Sequence, residues 1–426
     1  MSDDSDQKKS QSDDSVIVID QPQLDELIEK HEAFKHGRAN GSRAVLQRYD
    51  LSGLSFRQSD MSNADFTSSI MVECDLSFCN LDYSIFYACD LRKANFSNAS
   101  LVRADLRGTC LRGAIMANAN LSEADLREGS YAKYDPEKGL TFTSDNSAWK
   151  EGTGGVDMRG ANLGSTKLSG AIAINSNFED ANLSKSVIIR GNLNGANLAG
   201  ANLSGADLSQ CELKNVNMRG ANLTGVLMDY SNLENVDLSG ALTDQPAGAT
   251  VDDFKLPIEE MIRLHQLWLK SQGEEGQRMV LSNCDLRGTT AFVASNLTML
   301  VAEKSVWYGH DLSGVSLQAA MLRQSDFRHC KFIKGDLRGS NFSKSNVVGS
   351  KFKGARLEPL FFDNERMLKT NFAGSLLRYA DFTNAVLRDV DFTEADLSYA
   401  NFEGADITGA NFSKAIMTGA KIRPLA

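Results

Sequence analysis

A large apolar residue returns at every fifth position along most of this chain. It runs without a gap from Leu46 to Leu126, resumes at Met158 and continues to Leu238, and starts again at Phe292 to reach Ile422. Only Ala173 and Ala302 are small among these centres. Two positions before each centre there is usually Ala, Ser, Thr, Cys or Gly, and the remaining three positions are mostly polar. A period of five matches neither the helical 3.6 nor the strand period of 2. It predicts a coil of short flat sides, each giving one bulky and one small residue to an interior and three residues to solvent.

A second period is nested in the first. Phe332, Phe352, Phe372, Phe392 and Phe412 step by twenty, as do Leu317, Leu337, Leu357, Leu377 and Leu397, with Phe342, Phe362, Phe382 and Phe402 between them. Self-similarity at about twenty residues signals a solenoid. Four sides per coil, stacked at about 4.8 Å, place like residues on their own kind. Glycine two after a centre is expected to ease the corner, where positive φ is required.

Stretches such as "ANLSGADLS" and "ADFTNAVLRDVDFTEADLSYANFEGADI" resemble the pentapeptide-repeat family, whose motif is A(D/N)LXX. That resemblance implies an all-β solenoid, a right-handed quadrilateral β-helix, and says little about function because the repeat residues are structural.

Two helical segments interrupt the ruler. Leu24, Leu27, Ile28, His31 and Phe34 match Ile258, Met261, Ile262, His265 and Trp268 in spacing, each set forming the stripe of an amphipathic helix followed by a glycine. Each is expected to cap the coil behind it, covering an edge that would otherwise invite aggregation. His31, Phe34, His265 and Trp268 are the candidate contacts, and a partner-binding helix is the sharper alternative. The predicted organisation is a disordered acidic tail (1–20), a helix and β-helix (21–241), a linker (242–255), and a second helix and β-helix (256–426). Within the tail, "DDSVIVID" could add an edge strand to the first coil or to a partner's sheet. Residues 129–155 displace the register and predict a loop. At 358–370 the spacing survives, but Leu360 and Glu365 occupy small-residue positions, predicting a local bulge.

Net charge changes the functional picture more than composition does. The total is −10 over 426 residues. Residues 1–23 hold 6 acids and 2 bases, residues 24–255 hold 30 and 22, and residues 256–426 hold 19 and 21. From Arg323 to Arg356 nine bases face only Asp326 and Asp336. Arg328, Lys331, Lys334, Arg338, Lys351 and Lys353 are therefore the candidate face for an acidic partner.

Six of the seven cysteines (Cys74, Cys79, Cys89, Cys211, Cys284, Cys330) fall on the small buried position, which accounts for them as filler. No phosphate loop, nucleophile elbow or zinc spacing is present, and Asp and Asn before the centres serve turns. No catalytic, cofactor or metal residues are assigned. The reading is a non-enzymatic scaffold that presents a rigid surface to a protein partner, with direct nucleic-acid binding not expected and oligomeric state open. Without a transmembrane run or secretory signal, the cytoplasm is the expected location. Resemblance to the family implies two alternatives. Some members mimic duplex DNA and protect type II topoisomerases, a role the acidic first module could take. Others are secreted effectors.

Overall fold

In a computed structural model, residues 16–127, 131–135, 139–143, 155–362 and 366–422 are described, with backbone alone between 131 and 143. Two compact units divide the chain between Asp244 and Gln245.

The first unit opens with β1 (Ile17–Val18), α1 (Gln21–Lys35) and β2 (Tyr49–Asp50). β1 pairs parallel with β2, so the tail adds its strand to this chain's first coil. Asp20 caps α1, its carboxylate accepting from the Gln23 N–H. The expectation of a disordered tail through residue 20 is thus corrected from Val16 onward, where pairing and capping hold the backbone.

Beyond β2 the chain climbs in coils of twenty. Val45 bridges Asp65, Asp65 bridges Ile85, and Ile85 bridges Asp105, always parallel. Each side contributes one bridging residue before a turn, so the ladder runs along the axis and long strands never form. Most centres are buried, with Phe66, Leu101, Leu163 and Leu203 at 0% exposure, and so are the small residues two before these four; Leu233 (44%) and Leu238 (45%), near the end of the unit, are exposed. The corner expectation needs correction, because Asn63 (φ 64), Glu73 (φ 61), Tyr83 (φ 60) and Lys93 (φ 57) take left-handed conformations alongside the glycines. The inter-coil bonds that flank each corner, such as Asn63 N–H to Asp82 carbonyl at 2.9 Å, hold the strained residue in place.

Residues 129–155 contain a hairpin, β3 (Tyr131–Asp135) against antiparallel β4 (Gly139–Thr143). The coil that hosts it is longer, with Asp125 bridging Lys167. The linker expectation for 242–255 is corrected at both ends. Leu242 bridges Asn222 in the first unit, and Ala249 bridges Cys284 in the second.

The second unit carries α2 (Ile258–Lys270) and coils that begin at Leu281, ahead of the expected start at Phe292. One extra residue in its first coil hides that start, since Asp285 bridges Val306. The larger correction lies at 358–370. Asn341 bridges Asn371 and Lys351 bridges Asp381, thirty residues apart. The ten additional residues leave the coil as a hairpin, β5 (Leu360–Phe361) against β6 (Met367–Leu368), rather than a bulge. Phe361 (65%), Phe362 (62%) and Met367 (47%) are exposed, so Phe362 never belonged to an interior column. Ten divides by five but not by twenty, which preserves the ruler while moving every later centre two sides round. Phe352 accordingly stacks on Phe382 at 4.8 Å and Phe342 on Phe372 at 4.9 Å. The Leu column is re-sorted likewise, with Leu357 bonded to Val386 beside Leu387. Deleting residues 360–369 joins Pro359 to Thr370 and leaves Phe372 five places after Leu357. We expect the deletant to keep its melting temperature to within a few degrees. A collapse of the transition would show that the hairpin supports the coil.

Candidate functional site

Outward positions follow from the same geometry. Residues one before and one after a centre lie two apart on an extended side and so point the same way. An Asp before and an Arg after then meet as a two-pronged pair. In the first unit Asp90–Arg92, Asp105–Arg107, Asp125–Arg127 and Asp157–Arg159 close at 2.6–2.7 Å. Burial opposes ionisation of Asp157, but its Arg159 hydrogen bonds outweigh that and hold the carboxyl below its ordinary range. Between coils Glu73 pairs with Lys93, Glu123 with Arg103 and Glu234 with Lys214. The excess acid of this unit is therefore interleaved with base.

From Asn120 onward the bridging positions of one side of the first unit are neutral instead. Asn162 donates to Asn120 at 3.1 Å, Asn182 to Asn162 at 2.8 Å, Asn202 to Asn182 and Asn222 to Asn202 each at 3.2 Å. The same Oδ1 of Asn182 accepts the Ser184 N–H, so one amide serves both its turn and the ladder.

The expected basic face of the second unit does not form one surface. Lys331, Lys351 and Lys353 share a side, with Lys331 bridging Lys351, and Lys334 stands at its corner. Arg338 lies on the next side round and Arg328 on the opposite flank, because they follow different centres. Arg328 is only 2% exposed, forks onto Asp326 and covers the Tyr308 ring at 5.1 Å. It is thereby removed from the candidate face. Arg338 is tied to Asp336 at 2.7 Å. Asp311 and Asp381 occupy the positions below and above the lysines, and they pair with Lys331 (3.5 Å) and Lys353 (3.2 Å). Among the described residues Lys334 and Lys351 remain exposed without an ion pair.

The helix residues prove more ordered than their spacing revealed. His31 and His265 are both at 0% exposure. His31 Nδ1 accepts the Ala44 N–H and its Nε2 meets the Ser62 carbonyl, each at 3.0 Å. His265 Nδ1 accepts the Met279 N–H and its Nε2 meets the Thr298 carbonyl, again at 3.0 Å. An accepting Nδ1 places the proton on Nε2, as donor to the carbonyl. Trp268 stacks on His265 at 5.8 Å; Phe34 stacks on His31 at 6.2 Å but is 46% exposed. The glycine after each helix has a steric role. A Cβ on Gly41 would fall 2.1 Å from Phe34 N, and one on Gly276 would fall 2.2 Å from the Leu264 carbonyl. No sequence signal had pointed to these carbonyl contacts, because their partners lie some thirty residues away.

All seven cysteines are buried and free, and burial pushes the Cys74 thiol up to about 12. Among the described residues no group of His, Cys, Asp and Glu is arranged to hold a metal, and no helix is long and apolar enough to cross a membrane.

The family model described as "Pentapeptide repeats (8 copies)" matches in ten stretches that together cover residues 59–129, 154–188, 192–242, 311–358 and 367–423. The chain belongs to the pentapeptide-repeat family. Members fold as right-handed quadrilateral β-helices, and the parallel twenty-residue bridging of this chain agrees with that fold. Among solved structures, the chain is similar to HetL, a pentapeptide repeat protein involved in heterocyst differentiation regulation from Nostoc sp. strain PCC 7120. Identity is 19%, coverage 91% of this chain and 93% of that one, and the TM-score 0.17. It is similar also to QnrB1, a plasmid-mediated fluoroquinolone resistance protein (20%, 48% and 86%, TM-score 0.23). Rfr23 from the cyanobacterium Cyanothece 51142 matches at 30% over 33% of this chain and 88% of its own, with a TM-score of 0.21. No curated protein matches.

Proposed function

We propose that this pentapeptide-repeat protein is a non-enzymatic scaffold. Its β-helices hold outward side chains at fixed spacing for a macromolecular partner, and α1 and α2 cap the coils that follow them. The observation carrying this reading is the double anchoring of the outward residues. Their own turns and the coil above both hold them, as in the Asn120–Asn222 ladder, so little side-chain entropy remains to be lost on binding. The side bearing Lys331, Lys334, Lys351 and Lys353 is the proposed contact for an acidic protein.

The test is capture from the native host by photocrosslinkers at Ser313 and Ile333, part-exposed outward positions of the same side that leave all four lysines in place. A single saturable adduct is expected, lost when the four lysines are reversed to Glu. An adduct indifferent to the reversal would remove this side from the proposal, and no saturable adduct at all would remove the scaffold reading.

The paired carboxylates of the first unit weigh against mimicry of DNA, which calls for unneutralised charge along the rod. We expect supercoiling by a type II topoisomerase to proceed unchanged with micromolar protein added. Inhibition would reinstate the mimic.

A further inference from the structure

In every regular coil the carbonyl one place past a centre accepts a backbone N–H from the coil before it. Asp82 receives Asn63 in this way at 2.9 Å, and Gln318 receives Met299 at 2.7 Å. The first coil of each unit has no such predecessor at Ser62 or Thr298. An imidazole from the preceding helix takes the vacant donor's place in both. The adjacent carbonyls, Asn63 and Met299, are met by Arg43 Nε and Arg278 Nε, each at 2.7 Å. Two units that differ in sequence thus use one clamp, His then Arg, on two consecutive edge carbonyls.

We propose that His31 and His265 are acid-released latches that hold α1 and α2 on their coils. Each imidazole works only when neutral, because Nδ1 must accept the N–H of Ala44 or Met279. A proton on Nδ1 turns that acceptor into a donor aimed at another donor and places a charge at a fully buried site.

The groups facing each ring differ. His31 faces Asp60 on the first coil, Lys35 on α1 and Arg43 on the return segment. Among the described residues His265 faces Arg278 and no carboxylate. Burial pushes both imidazoles down from their ordinary value, with the carbonyl bonds opposing, and Asp60 also opposing at His31. A base whose folded-state value is depressed binds fewer protons folded than unfolded. Its contribution is therefore complete above about pH 6.5 and is lost as pH falls below that.

Hydrogen exchange of the whole protein between pH 7.5 and 5.0, corrected for intrinsic rates, tests this. Opening of residues 21–35 and 258–270 should rise by up to about tenfold per pH unit below about 6.5, while residues 377–402 stay protected. His31→Gln and His265→Gln should each flatten the profile of its own helix alone. Imidazole nitrogen shifts of the native protein give a second readout, independent of whether the variants fold. Neutral Nε2–H tautomers at pH 7 and midpoints below about 6.5 are expected. Helices whose protection ignores pH, Gln variants with the native profile, or midpoints at or above the ordinary value would each overturn the latch.

Discussion

Phe372→Asp is expected to unfold the second unit, whereas Phe362→Asp should leave it folded. Both residues sit on the five-residue ruler, ten places apart. Phe372 is at 0% exposure, stacked on Phe342 at 4.9 Å and Phe392 at 5.5 Å, with Phe352 and Phe382 edge-on. Truncating such a ring costs about 3–5 kcal/mol, and a carboxylate left without partners in that column adds several more. The sum rivals the whole stability of a domain, about 5–15 kcal/mol. Phe362 is 62% exposed on the hairpin, where a charge should move stability by no more than about 0.5 kcal/mol. The emission of Trp307, 1% exposed in the same core, is the measurement. A folded Phe372→Asp protein would disprove the inward assignment, and an unfolded Phe362→Asp protein would disprove the hairpin.

Ala201→Leu has the second largest expected effect. Ala201 occupies the small position of its side at 0% exposure, with Ala181 below and Ala221 above at the same exposure. Three more carbons have no room there, and overpacking of this kind costs about 1–3 kcal/mol. Ala199→Leu, two residues earlier on a partly exposed outward position, is the control and should cost at most about 0.5 kcal/mol. Urea midpoints at constant slope compare the two. Equal midpoints would mean the interior holds a void that the alanine column does not suggest.

These cases mark how far the primary structure could be read. Spacing alone located the centres, the small partners, the role of the cysteines and the two helices, because each depends on the period of a short local unit. Stacking was read correctly below Pro359 and wrongly above it. Phe352 was assigned to Phe372, and it meets Phe382. The hairpin that causes this leaves no mark on a period of five. Of the residues named for the candidate face, Lys331, Lys351 and Lys353 share one side, with Lys334 at its corner. Arg328 and Arg338 could not be excluded, since an Asp two places before an Arg becomes an ion pair only once both stand on one flat side. His31 and His265 were placed among the helix contacts, but their carbonyl partners were invisible.

The order of residues by itself determined that this chain winds into a coil of five-residue sides with one large and one small residue inside. That follows from local burial, repeated until no other backbone satisfies it. Only the tertiary structure decided which side rests on which, what the histidines hold, and which charges remain unpaired. Those depend on residues twenty, thirty or more places apart, brought together by coil lengths that an insertion of ten can alter without disturbing the local pattern.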